Sequence, residues 1–281
     1  MKPQPATIAY RAFMYTVLLG AAVVTLTPIV WLVAASIKGP DDLFHYMFFA
    51  PRATLDNFRD LFELGKAEKS VHFLRCGINS AFVACTSVLV QLFFSSLAGF
   101  ALAKYEFRGR RALMVLMLAT MLIPGQVVMA PMYELIYRMG LVDSYAGLIV
   151  PGAVSVFGIF LFRQAILQVP DELMHAARID GCSEFRIYWD VVMPVSRPMV
   201  GAFCLISFMG AWNSFLWPQI ILHNSQRFTL PIALNQLVGL YQQQYGTLMA
   251  GTLISVLPVI VIFMLLQREF VAGLTAGAVK G

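Results

Sequence analysis

Six long apolar blocks, none containing Asp, Glu, Lys or Arg, leave this chain few ways to fold. They are Ala12–Ile37, Cys76–Ala103, Ala112–Met132, Ser144–Phe162, Pro198–Gln226 and Phe228–Gln267. A helix needs about 20 apolar residues to cross the hydrocarbon of a bilayer, so each block holds one span. The last block has room for a polar loop followed by a span over Thr247–Leu266, and the fifth span ends near Trp217. The expectation is an all-α integral membrane protein with six transmembrane helices. Composition agrees. The chain is 59% hydrophobic and 12% charged, where a soluble domain carries about 25% charged residues, and its mean hydropathy is +0.74.

Lys2 and Arg11 precede the first block, as they would a secretory signal. Its apolar core of about 25 residues exceeds the 7–15 of a signal h-region, so it reads as a retained span. The four cysteines make no disulfide framework. Cys85 and Cys204 fall within spans and Cys182 in a polar segment, and they read as small buried apolar residues.

Orientation follows from the basic residues. With Lys2 and Arg11 inside, twelve of the twenty Lys and Arg lie on the inner side. The tight 104–111 turn carries four of them, whereas the stretch between the third and fourth spans carries only Arg138. Positive residues mark cytoplasmic loops. Both termini and the 163–197 segment are therefore placed in the cytoplasm, with 38–75 as an external segment and 268–281 as a cytoplasmic tail. Within 38–75, Pro40 and Pro51 are breakers. Leu55, Phe58, Leu61 and Phe62 then follow at helical spacing, as in a short helix on the membrane surface. Pro28 is expected to kink the first span. Ile123-Pro-Gly-Gln126 breaks the third block, so Val127–Met139 reads as a separate interfacial piece.

The 163–197 segment carries helix punctuation that an ordinary loop lacks. Pro170 suits a first helical turn, and Asp171 and Glu172 sit at the positive end of the helix dipole. The helix runs to about Ile179, Gly181 is its left-handed cap, and Ser183 caps a second helix. Phe185, Tyr188, Trp189 and Val192 fall at i, i+3, i+4 and i+7, forming one apolar stripe. Pro194 ends it. The product is a helix–turn–helix whose apolar side chains face no obvious core of their own. One reading is an amphipathic pair lying flat in the headgroups. The other is a knob that docks a protein partner, with Ala176 and Ala177 leaving a shallow surface for close approach.

The spacing of His175-Ala176-Ala177, Gly181, Val191, Met193 and Pro194 resembles the EAA signature of ABC importer permeases, with His for Glu, Val for Ile and Met for Leu. Further segments are similar to the maltose-type carbohydrate permeases, the shorter subunit in particular, and to glycerol-3-phosphate importer permeases. They are Asn79-Ser80, Ala98-Gly-Phe-Ala-Leu-Ala-Lys-Tyr-Glu-Phe-Arg-Gly-Arg110, Asp143-Ser-Tyr-Ala-Gly-Leu-Ile149, Trp212-Asn-Ser-Phe-Leu-Trp-Pro218 and the 273–281 tail. The resemblance implies a single permease domain over 1–281 in a bacterial inner membrane. It also implies a second homologous permease, a cytoplasmic ATPase dimer that binds the ATP, and an extracytoplasmic solute-binding protein. It makes Glu172, His175, Ala176, Ala177, Asp180, Gly181, Phe185 and Pro194 the ATPase-docking candidates. The tail of this subunit type also reaches the ATPase. Where the EAA pattern has Glu, His175 removes a negative charge, and Glu172 is the neighbour that could replace it.

Several function classes are disfavoured by the residues themselves. No Gly-x4-Gly-Lys-Ser/Thr loop occurs, so no P-loop holds a nucleotide here. No His/Cys/carboxylate spacing suggests a metal, no nucleophile elbow or His-Glu-x-x-His points to hydrolysis, and no nucleic acid partner is expected. The chain itself is expected to bind no cofactor. The spans hold no Asp, Glu, Lys, Arg or His, which disfavours proton coupling. Sodium-coupled secondary transport remains the alternative, as does import of a polyol or glycerol phosphate. Substrate-pathway candidates are Asn79, Gln91, Trp212 and Asn213, since amides both donate to and accept from sugar hydroxyls and indoles stack on sugar rings. Asn79 and Asn213 read equally as helix–helix hydrogen bonds, and Trp212 as part of an interfacial belt.

Overall fold

The structure, a computed structural model, describes residues 5–39, 42–43, 48–49, 52–63, 72–240 and 245–276, without the side chains of 5–9, 239–240 and 274–276. Pro40, Pro51, the 241–244 stretch and the tail beyond 276 lie outside the described residues. The chain divides into two compact units, 1–73 with 234–256 and 74–233 with 257–281. The described residues are helical apart from turns and one isolated bridge between Lys38 and Ala53.

In the first unit α1 (Pro5–Ser36) runs through Pro28 as one helix. Its apolar side chains are exposed along most of its length, and only the last turn, Ala34 to Ser36, is buried. That turn meets α2 (Asp56–Glu63), the short helix expected in the external segment. Buried Asn57 donates from Nδ2 to the carbonyls of Ser36 (2.9 Å) and Lys38 (2.7 Å), pairing the groups left open at the end of α1. Of the expected apolar stripe Leu61 is buried, while Leu55 and Phe62 stay exposed.

The second unit contains most of α3 (Phe73–Lys104), then α4 (Arg110–Thr120), α5 (Met129–Arg138), α6 (Tyr145–Ile149), α7 (Val156–Ile166) and α8 (Asp171–Ile179). There follow α9 (Glu184–Val195), α10 (Arg197–Trp212) and α11 (Leu216–Ile221), while α12 (Leu230–Leu240) and α13 (Tyr245–Ala276) each have residues in both units. Close packing rests on small residues, as expected where lipid supplies no hydrophobic drive between helices. A Cβ on Gly158 of α7 would sit 2.5 Å from the Phe203 ring of α10, and one on Gly99 of α3 would sit 2.7 Å from Phe162 Cβ. Gly201 and Gly273 bring α10 against the C-terminal part of α13 in the same way.

Three described helices are long and apolar enough to cross a membrane, and five if each bent helix pair counts as one span. The six-span reading is altered in three places. The third block folds as α4, turns over 121–128, and α5. An 11-residue helix is roughly 16 Å long, well short of the ~30 Å hydrocarbon core. Pro124-Gly125 interrupts it, as the sequence indicated. The fifth block stops at Trp212 and restarts at Leu216, rather than running to Trp217. In the last block a further helix, α12, replaces part of the expected loop, and α13 continues past Leu266 through Arg268 and Glu269. The first half of the predicted tail is therefore helix, tied to α10 by an Arg197–Glu269 ion pair at 3.6 Å.

Candidate functional site

The segment between α7 and α10 is a folded two-helix loop. Pro170 is the residue before α8 rather than inside its first turn. At the other end Gly181 adopts φ +81. Its N–H reaches the Arg178 carbonyl (3.1 Å) and the Cys182 N–H reaches that of Ala177 (3.0 Å), the paired closure that a left-handed glycine permits. The Ser183 hydroxyl accepts from the Arg186 N–H at 3.4 Å and starts α9. The middle of α9, Ile187–Val192, is wound as a π-helix, a local widening often found at functional positions. Pro194 does not stop this helix, which runs on to Val195.

The loop has no core of its own but shares one with three helices. Met174, Ala177, Ile187, Tyr188 and Val192 are buried with Phe100 and Ala103 of α3, Phe162 and Ile166 of α7, and Phe203 of α10. The expected single stripe is split, because the π-turn rotates its members apart. Tyr188 and Val192 are fully buried, whereas Phe185 and Trp189 are more than half exposed. The loop therefore has two faces. The inner face carries Ala177. The outer face carries Leu173, Ile179, Phe185 and Trp189, with exposed Glu172, His175, Ala176, Asp180, Gly181 and Pro194 among them.

Polar bonds fix the inner face to the end of α3. Lys104 Nζ donates to the Val169 carbonyl (2.6 Å) and to Asp171 Oδ1 (2.7 Å). The Tyr105 hydroxyl donates to Glu184, which also takes a two-pronged bond from Arg178 at 2.7 and 3.1 Å. The Tyr188 hydroxyl meets Ser96 Oγ at 2.7 Å inside the core. The Arg178 guanidinium, helped by Tyr105, holds the Glu184 carboxyl down at about 2. Lys104 likewise lowers Asp171. None of Ser96, Lys104, Tyr105 or Glu184 was picked from the sequence as a functional residue, although Lys104-Tyr105 lie within one of the family-like segments.

A second feature lies among α3, α6, α10, α11 and the chain before α12. It is a cavity of about 250 Å³ whose polar lining is Ser80, Ser87, Gln91, Ser207, Ser214 and Thr229, with Trp217 beside them. Ser207 donates to Gln91 Oε1 across it at 2.6 Å. The Thr229 hydroxyl is buried and has no hydrogen-bond partner among the described residues. The segment bearing Thr229 is pinned on both sides. Asn79 Nδ2 donates to the carbonyls of Gln226 and Phe228, each at 3.0 Å, and the Leu230 N–H donates to Ser80 Oγ at 2.7 Å. Asp143, at φ 54, accepts from the N–H groups of His223 (3.0 Å) and Asn224 (3.1 Å) and pairs with Arg227 at 2.7 Å.

The four pathway candidates are not brought together. Gln91 lines the cavity. Asn79 holds its wall. Trp212 is buried and stacked on Phe208 with ring centroids 5.5 Å apart, and exposed Asn213 bonds back to the Met209 carbonyl at 2.9 Å. The missed residues did carry a signal. Ser80, Ser87 and Gln91, like Ser207 and Ser214, recur at intervals of seven and four, and so share a helix face.

A helical membrane chain with one rigid charged loop and an uncharged polar cavity has the construction of a transport permease. The chain belongs to the family of binding-protein-dependent transport system inner membrane components, which residues 92–275 match. It is 36% identical to the arabinooligosaccharides transport system permease protein AraQ of Bacillus subtilis (strain 168), over all of both chains. It is 32% identical to the lactose transport system permease protein LacG of Rhizobium radiobacter, over 95% of each. It is 33% identical to the sn-glycerol-3-phosphate transport system permease protein UgpE of Escherichia coli O1:K1 / APEC, over 93% of this chain and 95% of that one. Its fold matches a chain of a bacterial ABC transporter involved in the import of the acidic polysaccharide alginate, with TM-score 0.81 and 22% identity over 96% of this chain and 100% of that one.

Proposed function

We infer that this chain is the shorter permease of an ABC importer for carbohydrate. It works with a second permease, a cytoplasmic ATPase dimer that binds the ATP, and an extracytoplasmic binding protein. In this reading the chain crosses the bacterial inner membrane six times with both termini in the cytoplasm, α4 and α5 together serving as the third crossing. The observation that carries the reading is the two-faced loop. A protein surface exposing Ile179, Phe185 and Trp189 on a rigid support needs a cover, and the residue spacing of the loop resembles the EAA segment of the importer family. Closure of the ATPase dimer on ATP would move the loop as one body. Its shared core and its bonds to Lys104 and Tyr105 would carry that motion into α3, α7 and α10. The carbohydrate assignment draws support from the names of the arabinooligosaccharide and lactose relatives. The glycerol-phosphate relative sets the competing solute.

The test is co-purification of the ATPase with the two permeases from membranes. Ile179→Asp combined with Trp189→Ser is expected to reduce ATPase recovery at least tenfold while the permease pair stays intact, since exposed anchors of this kind carry most of an interface's energy. Full ATPase recovery with the double variant would remove the docking face from consideration. A reporter that works only in the cytoplasm, fused after Gly281, checks the orientation.

A further inference from the structure

The geometry points to the cavity lined by Ser80, Ser87, Gln91, Ser207, Ser214 and Thr229 as a binding site, within this subunit, for a single uncharged sugar unit; this rests on the carbohydrate reading above.

Four observations converge. The first is the lining chemistry. Hydroxyls and one amide, each able to donate and accept, match a ligand whose surface is hydroxyl groups. Among the described residues no Lys, Arg or His lines the cavity, so a phosphate or a uronate would enter it without a counter-charge. The second is the Thr229 hydroxyl, 4% exposed and without a partner among the described residues. Buried polar groups are nearly always paired, and an exception calls for a missing partner. The third is construction. Asn79, Ser80 and Asp143 spend their hydrogen bonds on holding the 223–230 segment in place, which fixes where Thr229 points. The Trp217 indole is likewise immobilised by a 3.1 Å bond from Nε1 to the Gly147 carbonyl, leaving a rigid aromatic wall. The fourth is size. About 250 Å³ falls below the roughly 300–1,000 Å³ of pockets for drug-sized molecules, which suits one ring of a saccharide rather than a chain.

The site separates solutes that the relatives leave together. A neutral pentose or hexose unit fits it. Glycerol phosphate does not.

The experiment uses the assembled permease–ATPase complex in lipid nanodiscs without the binding protein, so that any solute retained is retained by the membrane subunits. The probes are tritiated xylose, maltose and glycerol 3-phosphate. Binding of a neutral sugar is expected, uncompeted by glycerol 3-phosphate. Thr229→Val keeps the shape and removes the hydroxyl, and Gln91→Leu removes the amide. Each is expected to weaken sugar binding roughly three- to tenfold, the worth of one hydrogen bond. An exposed control away from the cavity lining, Leu89→Ala, is expected to change nothing. Sugar binding unaffected by both variants overturns the cavity assignment and leaves the carbohydrate reading standing. Binding of glycerol 3-phosphate alone overturns both. Binding of no probe overturns the assignment and makes the cavity a water pocket, while uptake with the binding protein present still decides the transported solute.

Discussion

The loop of α8 and α9 and the cavity behind Thr229 are built from opposite materials. The loop is held by charges: Lys104 to Asp171, Arg178 to Glu184, Arg186 to Asp190. It then exposes greasy side chains outward. The cavity has apolar surroundings and turns neutral hydroxyls inward. Each arrangement suits its medium. Outside the hydrocarbon, burial of Tyr188, Ile187 and Val192 is a net drive, about 25 cal/mol per Å² of apolar surface, and exposed ion pairs only set the pose. On a helix in the hydrocarbon a charge would be expensive, which favours hydroxyls and amides as the polar groups there. The proposed protein contact and the proposed solute contact thus differ in what is left unpaired: apolar area in the first, a polar atom in the second.

The loop's two faces can be separated experimentally, and Ala177→Asp gives the largest effect. The sequence reading and the family resemblance place Ala177 on the docking surface. Ala177 is 8% exposed in the shared core, and an unpaired buried carboxylate costs about 3–5 kcal/mol. The expected outcome is loss of the protein itself, read as low membrane abundance and early thermal unfolding. A stable, abundant Ala177→Asp permease that merely fails to bind ATPase would restore the docking assignment. Lys104→Met comes next. It leaves the Val169 carbonyl without its donor and frees the start of α8 from α3, at about 1.5–3 kcal/mol for charge-assisted bonds. ATPase should still co-purify, with transport-linked hydrolysis reduced several-fold. Asp171→Asn, at an exposed partner, should do much less.

Gly181 distinguishes strain from obstruction. With φ +81 and no atom within 4 Å of a Cβ placed there, Gly181→Ala meets no clash and costs only the left-handed backbone, about 1–2 kcal/mol. Gly181→Trp has the same strain plus a bulky ring on the outer face. A small drop in melting temperature for both, with ATPase recovery lost only in the Trp variant, assigns the glycine to the interface. Equal ATPase recovery in the two would make it a turn residue and nothing more.

Legibility from sequence followed the reach of the physics. The apolar blocks, the break at Pro124-Gly125, the left-handed Gly181 and the Ser183 cap are local and were readable one residue at a time. The burial of Ala177, the split of Phe185 and Trp189 from Tyr188 and Val192, and the union of Ser207, Gln91 and Thr229 depend on neighbours 20 to 140 positions away. Helical periodicity assumed 3.6 residues per turn through Ile187–Val192, where the helix is wider, so the stripe drawn there mixed two faces. Asn79 was noticed for its chemistry, but only the fold shows that its amide is spent on Gln226 and Phe228.

The smallest expected effect concerns pH, and it tests whether the ion pairs of the loop are a switch or a fixture. Hydrogen bonds from Arg178 and Tyr105 depress the Glu184 carboxyl from 4.5 to about 2. A depressed acid contributes its stabilisation fully above its unfolded value and loses it only as pH falls through the folded one. Between pH 5 and 8 Glu184 therefore stays ionised and bonded, and Asp171, lowered by Lys104, behaves alike. ATPase recovery and the loop's protection from proteolysis should be flat across that range and decline only toward pH 2. A decline between pH 5 and 8 would overturn the reading of these two ion pairs as a fixture.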